Sequence, residues 1–177
     1  MKTFFAALFL SALALTTNAQ DEPKSQFGKD FLHVWTVSMK NAVDVAEAMP
    51  EEYYGYQPAD TTKTFGDQIG HIGFTCDYLS KGFVDGDWGE YKDPDTSEMT
   101  KAEVVAYLKE KMELATARIT SMTDEQANET IDAFGGRKLK RYVTVLFIQD
   151  HLTNHRAKAN LYIRLKGIKP PAYAYFN

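Results

Sequence analysis

The chain has 177 residues, a formal net charge of −4 and a single cysteine. A mildly acidic protein has no electrostatic footprint for nucleic acid. One cysteine excludes both an intrachain disulfide and the paired cysteines that attach haem. The length suits one domain with a hydrophobic core of its own.

The N-terminus has the pattern of a secretory signal peptide over residues 1–19. Lys2 supplies a positive start, Phe4 to Leu15 form an apolar run, and Thr17-Asn18-Ala19 resembles a cleavage site with small residues. We expect cleavage after Ala19, which exports the chain to the periplasm or the medium and leaves residues 20–177 as one domain without a membrane attachment. A retained N-terminal anchor is the alternative, but the apolar run is short for a membrane span.

Two amphipathic helices are predicted in the first half of the chain. Apolar residues recur at helical spacing from Phe27 to Met49, and Pro50 ends this first helix because proline cannot continue the hydrogen-bond ladder. The second helix is predicted from Phe65 to Phe83, with Thr64 as its N-cap. Loops follow the two helices, at Glu51–Lys63 and Gly86–Ser97.

A third helix is predicted after the second loop, and a break in the pattern follows it. The helix begins at a capping box formed by Thr100 and Glu103 and continues to Met122. The apolar periodicity is then lost from Asp124 to Lys138, where Gly135-Gly136 favours a turn or a short hairpin.

The fourth helix completes an all-α four-helix bundle. It is predicted from Leu139 to Lys166, with Gly167 as the C′ residue, and the aromatic tail from Tyr173 to Phe176 is expected to pack back on the bundle. At about 3.3 Å per residue, the connection between the second and third helices is long enough to return along the bundle. That length permits these two helices to be parallel.

Three of the four histidines are candidates for a metal site. His151 and His155 are four residues apart in the fourth helix and share one face, and His71 in the second helix can approach them from across the bundle. Imidazoles in a core need partners for their nitrogens, which a shared metal supplies, and three of them leave a coordination position open. Because a pair of histidines at this spacing is common in helices, paired core histidines or a solvated face remain alternatives on spacing alone.

The sequence lacks the motifs of two other kinds of metal site, the zinc-protease site and the carboxylate di-iron site. Leu152 follows His151, so there is no zinc-protease HExxH motif, and no Glu-x-x-His occurs to indicate a carboxylate di-iron bundle. His33 is interpreted as an ordinary helix residue, and Cys76 as a small hydrophobic residue of the core. The acidic runs are interpreted as solvated loops, at Asp85–Glu90 and Asp93–Glu98.

Near neighbours of the histidines in the sequence can supply a second hydrogen-bond partner for an imidazole. Asp77 and Tyr78 follow His71, and Asp150 adjoins His151. Each can orient an imidazole through its second ring nitrogen. A surface charge or a core tyrosine is the more common role for such residues, so the sequence identifies no second catalytic group.

Five segments together carry a resemblance to a known family and span nearly the whole chain after the leader. They are Met49–Tyr54 with Gln57-Pro58, Thr64–His71, Phe134–Gly136, His151–Arg156 and Arg164–Pro171. In these segments and their order the sequence resembles the DinB-like family of four-helix bundle proteins (DinB/YfiT type). The set is much more specific than the histidine pair alone.

The resemblance implies an up-down-down-up bundle in which His71, His151 and His155 bind a divalent metal, most commonly zinc or nickel. Members with known activity include thiol-dependent isomerases and S-transferases, and homodimers are common in the family. Members often continue the last histidine as His-Arg-Gly-Gln, whereas here Arg156 is followed by Ala157-Lys158. The predicted export is a second departure, since low-molecular-weight thiols belong to the cytosol.

Two hypotheses about function follow, together with a third that involves no metal. The first is a metal-dependent enzyme, of hydrolase or thiol/S-transferase type, that acts on an unknown small molecule. The second is a non-enzymatic bundle that binds a metal or a small molecule. The third is a metal-free bundle whose histidines only resemble those of the family.

Overall fold

A computed structural model describes residues 22–175 of the protein. The predicted signal peptide, residues 1–19, lies outside the described residues, as does the end of the aromatic tail. Within the described range, no helix combines the length and the apolar character needed to cross a bilayer.

Four long helices account for most of the described residues. The long helices are α1 (Gln26–Ala48), α2 (Phe65–Ser80), α3 (Lys101–Ser121) and α5 (Arg141–Leu165). Between α3 and α5 lie the short helix α4 (Asp124–Asn128) and a two-stranded hairpin, β1 (Thr130–Ala133) and β2 (Arg137–Lys140). The predicted all-α class is confirmed, and the hairpin is the short one that the glycine pair indicated.

The helices begin where side chains satisfy the free backbone N–H groups of the first turn. Thr64 accepts a hydrogen bond from the Asp67 backbone at 3.0 Å, as predicted for the start of α2. Thr100 and Glu103 form both bonds of the predicted capping box at the start of α3. The starts of α2 and α3 are therefore specified locally by the sequence.

Two of the predicted helix boundaries are wrong. The second helix does not continue as α-helix to Phe83, because Lys81–Asp85 forms a single π-helical turn that Gly86 ends at φ 74°. The last helix begins at Arg141 rather than at Leu139, because Leu139 pairs with Ile131 in the hairpin. In both places tertiary packing overrides the apolar periodicity.

The core lies between the four long helices. Trp35 at the centre of α1 is fully buried, and its indole N–H donates to Thr116 Oγ1 of α3 at 2.7 Å. The buried ring of Tyr54, in the loop after α1, packs edge-on against Phe65 of α2. Other fully buried side chains come from all four long helices, among them Met49, Ile69, Ile72, Leu108, Ile119, Ile148, Leu152 and Ile163.

Contacts between α3 and its neighbours fix two of the helix directions. The amine of Lys101, at the start of α3, donates to the Glu47 and Met49 carbonyls at the end of α1, so these two helices are antiparallel. Gly73 in the middle of α2 lies against Leu108, whereas Ser80 at its end bonds to Arg118. The helices α2 and α3 are therefore parallel.

Contacts of α5 complete the topology. Gln68 near the start of α2 contacts His155, and Phe83 after its end contacts Arg141, so α2 and α5 are antiparallel. Phe27 packs against Tyr142 and Ser38 bonds to Gln149, so α1 and α5 are parallel. The bundle is up-down-down-up, and the predicted crossover between the second and third long helices is confirmed.

The tail after α5 turns back onto the bundle. Gly167 adopts φ 73°, a left-handed conformation that glycine accepts without strain. Asn41 of α1 then accepts from the Ala174 backbone N–H at 2.8 Å, and the Arg156 guanidinium lies 4.9 Å from the centre of the Tyr173 ring. The described part of the tail therefore packs back as predicted.

Candidate metal centre

His71 from α2 and the pair His151 and His155 from α5 meet between the two antiparallel helices. One nitrogen from each ring lies within 4.8 Å of the others. The Nε2 atoms of His71 and His151 are 3.2 Å apart, and the His155 ring centre is 4.3 Å from that of His71 and 4.4 Å from that of His151. The structure thus brings together the three histidines that the sequence predicted as ligands.

The spacing of these nitrogens matches what a divalent ion needs. With metal–nitrogen bonds of about 2.0–2.1 Å, two imidazoles lie roughly 3.3 Å apart on a tetrahedral ion and roughly 2.9 Å apart on an octahedral one. The observed 3.2 Å between His71 and His151 falls within that range. This pair therefore fits a metal ion, with a nitrogen of His155 within 4.8 Å of both, and the distance is compatible with several ions of this class.

The surroundings of His151 and His155 favour the neutral imidazole, which is the form that binds metal. Burial lowers the pKa of His151 below its usual value, and the neighbouring His71 lowers it further. Burial, followed by the proximity of His71 and His151, lowers the pKa of His155 to about 3. Both imidazoles are therefore neutral near pH 7, and a metal does not have to displace a proton from them.

The metal-free protein is expected to lose stability as the pH falls from 6.5 towards about 3, because the pKa of His155 is depressed across that range on folding. In this window the unfolded chain binds a proton that the folded chain excludes, so acid favours unfolding. Urea unfolding between pH 7 and pH 4 should show a steeper loss in the wild type than in His155→Gln. Because carboxylates titrate in both proteins, only the difference between the two pH dependences reports on His155. Equal pH dependences would contradict the prediction.

Asp93 is the partner of the second nitrogen of His71. The Nδ1–H of His71 donates to Asp93 Oδ1 at 2.7 Å, which leaves the Nε2 lone pair directed at the other histidines. Lys63 donates to the other carboxylate oxygen at 2.8 Å. Burial by itself raises the pKa of Asp93, but the hydrogen bonds from Lys63 and His71 outweigh it and hold that pKa below its usual value.

Two glycines on α2 allow the loop that carries Asp93 to lie directly on the helix. A Cβ atom at Gly66 would come within 2.7 Å of Thr96 Oγ1, and one at Gly70 within 3.0 Å of Pro94 Cγ. The loop is held there by Asp67, whose carboxylate accepts from the Thr96 hydroxyl at 2.7 Å and from its backbone N–H at 3.2 Å. Larger residues at either glycine would displace the loop and Asp93 with it.

Gln68 occupies the corresponding position beside His155. Its side-chain amide contacts the Nδ1 atom of His155. The two ends of a glutamine amide are exchanged by a flip, and with the oxygen turned inward Gln68 accepts the Nδ1 proton. The Nε2 atom of His155 is then the nitrogen directed at the metal site, as it is in His71.

Asp93 was missed from sequence, whereas Asp77, Tyr78 and Asp150 have the ordinary roles that the sequence favoured for them over a partnership with an imidazole. Asp77 forms ion pairs with Lys111 and Arg118 of α3, and Asp150 is exposed. Tyr78 belongs to a cluster of aromatic rings that packs against the loop. His33 is exposed on α1 and outside the histidine group, as expected, and Cys76 is buried in the core.

These features define a class of protein, a four-helix bundle of up-down-down-up topology with three histidines placed to hold a metal ion. The chain belongs to the DinB superfamily, whose family model matches residues 35–159. The match includes all three histidines, and it confirms the resemblance seen in the sequence.

Similar proteins extend this result to solved structures. The uncharacterized protein YjoA of Bacillus subtilis (strain 168) is 24% identical over 127 residues, which is 70% of this chain and 80% of YjoA. The crystal structure of that DinB-like protein has a TM-score of 0.64 at 23% identity, and the match covers 84% of this chain and 97% of YjoA. A DinB-like protein from Bacillus cereus ATCC 10987 has a TM-score of 0.66 at 19% identity, with 82% and 95% of the two chains covered. At these identities the likeness establishes the fold.

Proposed function

We propose that this chain is an exported protein that binds one divalent metal ion, zinc or nickel, through His71, His151 and His155. The observation that carries the proposal is the convergence of three ring nitrogens within 4.8 Å. The lowered pKa values of His151 and His155 and the hydrogen bond that His71 donates to Asp93 support it further. Carboxylate partners of this kind are typical of histidines that bind metals.

We further propose that the metal-bound protein is an enzyme of hydrolase or thiol/S-transferase type that acts on a small molecule. A divalent ion with three protein ligands supplies Lewis acidity at an open coordination position. The side chains of Asp93 and Gln68 would hold His71 and His155 in the orientation that this chemistry requires. The expected export favours hydrolysis, because low-molecular-weight thiols are kept in the cytosol.

A non-enzymatic metal or small-molecule binding bundle is the second candidate. A specific observation favours it, namely that the acidic residues considered as partners of the imidazoles are paired elsewhere or exposed. Asp77 is paired with Lys111 and Arg118, and Asp150 is exposed on α5. Asp93 is already engaged by Lys63 and His71. Such a protein would bind the same ion without turning over a substrate.

The metal content of the purified protein tests the proposal. The chain would be expressed with export, purified without chelators or a nickel column, and measured by elemental mass spectrometry. We expect about one equivalent of one metal in the wild type and in the control His33→Ala, and its loss in His71→Ala. Full metal content in His71→Ala, or no uptake by the wild type on titration, would overturn the site.

A turnover screen separates the two candidate functions. The metal-loaded protein would be assayed with panels of ester, amide and thiol-transfer substrates. Turnover that is lost on metal removal and restored by one particular ion supports the enzyme. A metal-loaded protein without turnover across the panels supports the binding bundle.

A further inference from the structure

An apolar cavity lies beside the histidines, between the hairpin and α5. Its volume is about 240 Å³. The residues that line it include Phe83, Phe134, Leu139, Val143, Thr144 and Phe147. The side chains that line the cavity carry no charge, and the Thr144 hydroxyl is already satisfied because it donates to the Arg141 carbonyl at 2.7 Å. The cavity is therefore suited to apolar groups rather than to ions.

The cavity and the histidines occupy one continuous face of α5. Val143, Phe147, His151 and His155 follow one another at intervals of four residues, which places them on one side of the helix. The ring centres of Phe147 and His151 are 6.0 Å apart, about the rise of one helical turn. A molecule in the cavity therefore has the histidine site one turn away along the same face.

Aromatic rings line the mouth of the cavity and are partly exposed to solvent. Phe134 is 55% exposed and lies 5.1 Å from Phe83 and 6.2 Å from Phe147, measured between ring centres. Trp88 is 42% exposed and contacts both Phe83 and Phe134. Clustered exposed rings of this kind are a feature of ligand sites, because their faces bind apolar groups well.

The hairpin turn holds Phe134 in this position. Gly135 and Gly136 adopt φ 70° and 69°, a left-handed conformation that other residues rarely accept. The turn thereby directs the chain back into β2 immediately after Phe134. The glycine pair in the sequence thus places an aromatic ring over the cavity.

We propose that this cavity is the substrate subsite of the metal centre and that it takes an aromatic or branched aliphatic group. The ligand is a small molecule with an oxygen or sulfur donor at its other end, which reaches the ion held by His71, His151 and His155. A cavity of about 150 Å³ accommodates benzene. The volume here, about 240 Å³, therefore accommodates a ring with one or two substituents. The inference rests on the proposed function and deepens it.

A series of hydroxamates tests the inference with the zinc-loaded protein. Acetohydroxamate carries the metal-binding group alone, and its phenyl analogues add a ring through a spacer of none to three methylene groups. Calorimetric titration should give roughly tenfold tighter binding for the best phenyl compound than for acetohydroxamate. The affinity should peak at one spacer length, because the cavity and the ion are a fixed distance apart.

Phe134→Ala is the matching variant, since Phe134 is exposed and does not belong to the histidine group. We expect it to lose the gain from the phenyl ring and to bind acetohydroxamate and zinc as the wild type does. Leu161→Ala is the control, because Leu161 is an exposed apolar residue of α5 outside the cavity. It should keep the tighter binding of the phenyl compounds. Equal affinities for the phenyl compounds and acetohydroxamate, with zinc bound, would overturn the subsite and leave the metal proposal standing.

A measurement without metal separates failure of the subsite from failure of the metal site. Benzyl alcohol should change the fluorescence of Trp88 saturably in the wild type and not in Phe134→Ala, whether or not zinc binds. The absence of such a change would overturn the inference. A wild type that sediments as a dimer and becomes a monomer in Phe134→Ala would assign the surface to a second copy of the chain, and would overturn it as well.

Discussion

His155→Ala is expected to abolish stoichiometric metal binding. The substitution removes one of three ligands, and the two that remain, His71 and His151, cannot by themselves complete the proposed site. Elemental mass spectrometry of the purified variant should find no bound ion where the wild type carries about one. Asn154→Ala changes the exposed neighbour on the same helix and should keep the metal.

Thermal unfolding provides a second measure of the same loss. An ion that binds only the folded state stabilises it by about 2.7 kcal/mol at a free concentration a hundred times its Kd. For a chain of this length, that corresponds to a rise in Tm of about 5–10 °C. The wild type should show this shift when zinc is added, and His155→Ala should show none. Retention of full metal content and of the shift in the variant would refute the assignment of the site.

The long helices were predictable because apolar periodicity marks their buried faces and, for α2 and α3, local chemistry specifies their starts. Thr64 and Thr100 start α2 and α3 through their own side chains, as the sequence indicated. The parallel packing of α2 and α3 is different, because the length of the connection only permits it. What fixes it is tertiary, including the close approach of Gly73 to the Leu108 backbone. No periodicity in the sequence reports that contact.

The three histidines of the proposed site were predictable in part. The carboxylate of Asp93, which accepts a hydrogen bond from His71, was not. The i, i+4 spacing places His151 and His155 on one face of α5, but the approach of His71 depends on the rotation of two helices. Asp93 lies in an acidic loop that has no periodicity and reaches His71 only through folding. Gly66 and Gly70, four residues apart on α2, are the signal that was available, since small residues on one helix face mark the close approach of another segment.

Asp93→Asn should weaken metal binding roughly 10- to 100-fold while leaving all three ligands in place. An asparagine oxygen can still accept the Nδ1–H of His71, so the ring keeps its orientation. The variant side chain lacks the negative charge that makes the imidazole a stronger donor to a cation. Its pairing with Lys63 is weaker as well. Competition with a chelator of known affinity would give the Kd of each variant.

A comparison of two variants separates the charge of Asp93 from its hydrogen bond. Asp93→Ala removes both and should bind metal more weakly than Asp93→Asn, because His71 is then also free to rotate or to change tautomer. Asp95→Asn is the control, since Asp95 lies on the same loop but is exposed and hydrogen-bonds to the nearby Ser97. Unchanged affinity in Asp93→Ala would show that the carboxylate takes no part in metal binding. A graded loss, with asparagine between aspartate and alanine, would establish that the loop supplies the second partner that a metal-binding imidazole requires.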